Sequence, residues 1–113
     1  MQLNLPMLTV YDGPRLVDPS IVEAINTYRE AVRTCWDLRT RTNLTKRQLA
    51  MEAGLYASHV SDYLSEDTSK RELPARGIAE FEVACGNRVI TQYQAARSHV
   101  TLLEQFIPQR RMA

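Results

Sequence analysis

The stretch Leu44-Thr45-Lys46-Arg47-Gln48-Leu49-Ala50-Met51-Glu52-Ala53-Gly54-Leu55-Tyr56-Ala57-Ser58-His59-Val60-Ser61-Asp62-Tyr63-Leu64 decides the fold. Thr45 and Gln48 form a capping-box pair: each side chain can satisfy a backbone N–H that a helix leaves open at its start. Leu49, Ala50 and Ala53 follow at the spacing of one helical face. Gly54 ends that helix, because a left-handed backbone costs glycine least. A second helix must begin within a few residues, with Val60, Tyr63 and Leu64 facing in. Ala50 is small enough for two helices to cross closely, and Leu55 fills the space beneath the turn. These spacings predict two short helices joined by a tight turn.

Upstream, Asp18 can cap a helix whose first position is Pro19, and Ser20 with Glu23 is an alternative capping box. Ile21, Ile25, Tyr28, Val32 and Cys35 or Trp36 then recur at steps of three and four. They predict one apolar stripe on a helix of about five turns, with Glu23, Arg29, Glu30, Arg33 and Asp37 on the opposite face. The pattern breaks from Thr40 to Leu44. Downstream, residues 65–72 are polar and read as a loop. Pro74 starts a fourth helix with an inner face of Ile78, Phe81, Ala84 and Cys85, and Gly86 stops it. Asn87 caps a fifth, carrying Val89, Tyr93, Ala96, Val100 and Leu103 as a stripe that Pro108 ends. Residues 1–17 hold Pro6, Gly13 and Pro14 and no helical period, so they read as an extended arm, with a short strand in the alternation Met7–Tyr11. The expected architecture is all-α: a five-helix bundle over residues 18–107, after an arm at 1–17 and before a basic tail at 108–113.

A chain of 113 residues supports one domain and one modest core. Its apolar runs are too short to span a bilayer, and it starts without the basic-then-apolar pattern of a secretory leader, so a cytoplasmic protein with no membrane partner is expected. Cys35 and Cys85 lie far apart, without CxxC or histidine spacing. They read as buried small hydrophobes, with a disulfide as the alternative. No Gly-rich phosphate loop, paired-carboxylate signature or metal spacing appears, and His59 has no nucleophile at a recognisable elbow. The expectation is therefore no catalytic residue, no metal and no small-molecule cofactor. Net charge is only +1, but its distribution is uneven. Arg39, Arg41, Lys46 and Arg47 stand together without an acid among them, Lys70 and Arg71 follow, and Arg110 and Arg111 lie near the end.

The opening stretch resembles the helix-turn-helix of the lambda-repressor/Cro-like family, also called the xenobiotic-response-element family. Such sequences read Leu-Thr-x-x-x-Leu-Ala-x-x-x-Gly followed by an apolar residue, and Leu44, Thr45, Leu49, Ala50, Gly54 and Leu55 match, with Val60 at the apolar position of the recognition helix. The segment from Leu73 through Asn87 to Tyr93 is similar, less specifically, to small phage and prophage regulators. The resemblance implies a sequence-specific transcriptional regulator, such as a repressor, that binds double-stranded DNA with its recognition helix in the major groove. It implies base contacts from Lys46, Ala57, Ser58, Ser61 and Asp62, with His59 as a neighbouring candidate. Phosphate contacts would come from Arg39, Arg41, Arg47, Lys70 and Arg71, with Thr45 and Gln48 at the helix start. It also implies a homodimer. Val100, Leu103, Phe106 and Ile107 continue the last stripe beyond what a small bundle needs and are the expected interface; the first helix is the rival. Two departures stand out. Tyr56 occupies the position where the family usually has a serine cap, and the recognition helix carries Asp62 but no Arg or Lys. The acidic helix leaves a second reading, a protein-interaction module of antirepressor or antitoxin type on the same scaffold.

Overall fold

A computed structural model describes the backbone of residues 13–112 and the side chains of residues 13–99, Leu103 and Gln105. Among the described residues it is a compact all-α bundle of six helices with no sheet. They are α1 (Pro19–Glu23), α2 (Tyr28–Asp37), α3 (Lys46–Ala53), α4 (Ala57–Tyr63), α5 (Ile78–Cys85) and α6 (Val89–Met112), with a 3-10 turn at Ala75–Gly77 leading into α5. The strand expected at Met7–Tyr11 lies outside the described residues.

The expected five-turn first helix is two helices, which makes six in place of five. Asp18 caps α1 as expected, its carboxylate accepting from Ser20 N at 2.8 Å. The break comes from a helix cap at Thr27. Thr27 Oγ1 accepts from Glu30 N at 3.1 Å, and Glu30 Oε1 accepts from Asn26 N at 3.1 Å. Those bonds turn the chain at Asn26–Thr27 and restart it as α2. Of the expected stripe Ile25, Val32 and Cys35 are buried and Ile21, Tyr28 and Trp36 half-buried, while Val22 rather than Ile21 is the buried residue of α1.

Arg29 also departs from expectation. It does not share the solvent face of α2 but is buried, at 5% exposure. Pro74 does not start α5 directly; it precedes the 3-10 turn. Pro108 does not end the last helix, whose backbone runs on to Met112. A proline inside a helix loses one backbone bond and crowds one carbonyl, and here the helix already formed ahead of it carries on past that loss.

The core lies where α2 packs on α6 and where α3 packs on α4 and α5. Phe81, Leu49, Ile90, Val32, Val60 and Val89 are its largest fully buried apolar side chains. Each contributes roughly 1.5–3 kcal/mol by leaving water. Cys35 and Cys85 are buried free thiols. A hydrogen bond with the Cys85 side chain, and then burial, push the Cys35 thiol above its ordinary range. Such thiols behave as small hydrophobes rather than nucleophiles.

The corner between α5 and α6 gathers the chain. Gly86 has φ +83°, and a Cβ there would collide with the side chain of Thr40. That close approach lets Thr40 N donate to Cys85 O at 2.9 Å. Asn87 Nδ2 donates to Cys35 O at 3.0 Å, while its Oδ1 accepts from Val89 N at 3.3 Å at the start of α6. The fully buried Glu82 accepts from Thr91 N at 2.8 Å and from Thr91 Oγ1 at 2.7 Å. A carboxylate is thus set against the positive end of α6, and Arg88 Nη1 lies 3.4 Å away. Arg15 N donates to Gly86 O, and Gln92 bonds both backbone groups of Val17. The end of the expected arm is therefore fastened to this corner.

Candidate nucleic-acid interface

Two short helices and the turn between them form the surface to which the sequence points. At the start of α3, Thr45 Oγ1 accepts from Gln48 N at 3.1 Å and Gln48 Oε1 accepts from Thr45 N at 2.9 Å, the reciprocal cap its spacing predicts. At its end Gly54 takes φ +69°, and Leu55 N donates to Ala50 O at 2.8 Å. Leu49, Ala50 and Ala53 are buried. After Leu55 and Tyr56, α4 begins with no side-chain hydrogen bond at its cap, consistent with a tyrosine where a serine would bond.

Burial divides α4 into two faces. Val60 and Tyr63 are buried, whereas Ala57, Ser58 and Ser61 are exposed. A polar strip of the helix therefore lies outward on a firmly anchored inner face. His59 is half-buried between two rings. Its centroid is 5.1 Å from that of Tyr56 and 6.4 Å from that of Tyr63, both edge-to-face. Tyr56 itself is 72% exposed.

The basic residues near this surface separate into two sets. Arg41 makes a two-pronged pair with Glu52 at 2.7 and 2.8 Å. Their hydrogen bond raises the guanidinium and lowers the carboxyl from their ordinary ranges. Arg39 lies over the Trp36 ring at 4.0 Å and donates to Trp36 O at 3.1 Å, so it holds the α2–α3 loop. Arg71 pairs with Asp62 at 3.1 Å. Lys46, Arg47 and Lys70 are exposed, and none pairs with a described acid. Thr45 and Gln48 use their side-chain oxygens on each other's backbone. On α6, Leu103 is exposed, while the side chains of Val100, Phe106 and Ile107 lie outside the description.

Sequence reasoning missed the residue that fixes the far end of α4. Arg29 Nη1 donates to Asp62 O at 2.7 Å and Ser65 O at 3.0 Å. Its Nη2 donates to Lys70 O at 2.6 Å and Arg71 O at 3.1 Å. One guanidinium thus collects carbonyls from the end of α4 and from the loop behind it, a cation at the negative end of the helix. The only hint in the sequence is a helical register that places Arg29 next to the buried positions 25 and 32.

The chain matches no protein-family model, no curated protein and no solved structure. No helix among the described residues is long and apolar enough to cross a membrane.

Proposed function

We propose that this protein is a sequence-specific binder of double-stranded DNA, a regulator that presents α4 to the major groove. The observation that carries this reading is the division of α4: a buried Val60 and Tyr63 beneath an exposed Ala57, Ser58 and Ser61, after a tight glycine turn from α3. A helix held this way offers a polar edge to base pairs without loosening its core, which is the geometry of a helix-turn-helix. Lys46 and Arg47 at the start of α3, with Lys70 behind α4, supply phosphate contacts. None of the three forms an ion pair with a described acid, in contrast to Arg41 and Arg71. The protein binds as a homodimer through α6, because one small module buries too little surface for tight specific binding.

A duplex-binding measurement over a salt series tests the reading. Wild-type affinity falls steeply with salt. The double variant Lys46→Ala, Arg47→Ala binds more weakly, with a log–log salt slope shallower by about 2, one per lost phosphate contact. No binding to any duplex at low salt overturns it.

A specific observation favours the second reading, a protein-interaction module. Arg39, Arg41 and Arg71 are all engaged inside the chain, and Met51 and Tyr56 are 77% and 72% exposed. Exposed methionine and tyrosine suit a protein partner better than a phosphate backbone. Failure of DNA binding transfers the argument to that surface.

A further inference from the structure

We infer that α4 selects thymine-bearing base pairs through their C5-methyl groups, with Tyr56 and Ala57 as the contacting side chains. This rests on the DNA-binding reading above. The major-groove edge offers few chemically distinct handles, and each asks for a particular side chain. Guanine is read by Arg or Lys, adenine by a two-pronged Asn or Gln, and cytosine by a carboxylate. Helix α4, Ala57–Tyr63, contains none of the first two kinds. Its one carboxylate, on Asp62, is held by Arg71 at 3.1 Å. On α3, Lys46 is given to a phosphate in that reading, and Gln48 has its Oε1 committed to Thr45 N, so it cannot grip adenine with both ends of its amide.

What remains exposed is the apolar face of a phenol ring, an apolar methyl and two serine hydroxyls: Tyr56, Ala57, Ser58 and Ser61. Serine hydroxyls donate or accept and so pair with several base edges without choosing among them. The discriminating groups are therefore apolar, and the thymine methyl is their natural counterpart on the groove edge. The Tyr56 ring is braced edge-to-face against His59, with centroids 5.1 Å apart and planes at 67°. A braced ring loses little rotamer freedom on contact, so the surface is ready before DNA arrives.

The probe is a duplex recovered by selection from a random-sequence pool, compared with the same duplex carrying deoxyuridine in place of thymidine at one position at a time. That exchange deletes only the methyl. The expected result is one or two positions per half-site where it weakens binding about three- to five-fold. Tyr56→Ala or Ala57→Gly should erase the difference at that position. Equal binding of every deoxyuridine duplex, or selection of half-sites without thymine, overturns the inference while leaving DNA binding intact. Persistence of the methyl effect in both variants overturns the assignment to Tyr56 and Ala57. Absence of any retained duplex at low salt overturns the DNA-binding reading, and this inference with it.

Discussion

Arg29 Nη1 donates to the main-chain carbonyl of Asp62 at 2.7 Å, tying the middle of the bundle to the end of α4. The same side chain holds three further carbonyls, so the position of α4 depends on a residue 33 positions earlier in the chain. Loss of a buried charged donor that satisfies several part-buried acceptors costs more than loss of an ordinary contact. We therefore expect Arg29→Leu to lower the unfolding free energy by about 3 kcal/mol, as measured by urea denaturation. Arg29→Lys keeps the charge but lacks the planar fork, and should recover only part of it. Stability unchanged in both variants would show that the four bonds do not hold the loop.

Asp62 and Arg71 neutralise each other at the edge of the exposed strip. Asp62→Asn removes the acid and leaves Arg71 available to a phosphate. Duplex affinity at low salt should rise, and the log–log salt slope should steepen by about 1. A slope that stays the same would mean Arg71 does not face the DNA.

The two left-handed glycines stand in different surroundings. A Cβ at Gly54 meets nothing within 4 Å, whereas one at Gly86 runs into Thr40. Gly54→Ala should cost about 1–2 kcal/mol, the strain of the left-handed backbone. Gly86→Ala should cost about 2–4 kcal/mol, because overpacking adds to that strain. Adding Thr40→Ala to Gly86→Ala should restore part of the loss. Equal melting temperatures for the two single variants would contradict the close approach.

Tyr28 donates its hydroxyl to Leu73 O at 2.7 Å. Burial, and then the charges of Glu72 and Glu82, push its pKa up from 10.0 to about 12. A folded pKa above the unfolded one means that the protonated phenol favours the folded state. Its contribution is complete below pH 10.0 and is lost as pH rises toward about 12. Stability followed across that window should decline with pH in the wild type and less steeply in Tyr28→Phe. An identical decline in both would assign the alkaline loss to other groups.

The proposed dimer rests on α6. Wild type at micromolar concentration should sediment as a dimer, and Leu103→Glu should shift it toward monomer, because a charge is costly to bury in an apolar contact. A wild-type monomer with and without DNA would remove the dimer from the proposal.

Local chemistry made much of this fold legible. The Thr45–Gln48 box, the buried face of α3, the glycine stops at Gly54 and Gly86 and the inner face of α5 all concern interactions within a few residues, which a side chain's own type decides. The Thr27 cap is equally local, but the apolar stripe runs straight across it, and periodicity alone does not register a turn between two helices in similar phase. On α4, Val60 and Tyr63 lie inward as their spacing demands, which leaves Ala57, Ser58 and Ser61 outward.

By itself the sequence determined where α3 starts and stops, where α5 stops and which segment carries the turn, because capping, propensity and periodicity act over one or two turns. The tertiary structure alone decided which charges remain available. Arg39, Arg41, Lys46, Arg47, Lys70 and Arg71 look alike along the chain. Only the fold brings Glu52 to Arg41, Trp36 beneath Arg39 and Asp62 to Arg71, and leaves Lys46, Arg47 and Lys70 in solvent. It also alone drew Arg29 into the interior, because the carbonyls that hold it come from chain 33 to 42 residues away, and pairing over that distance depends on how helices pack.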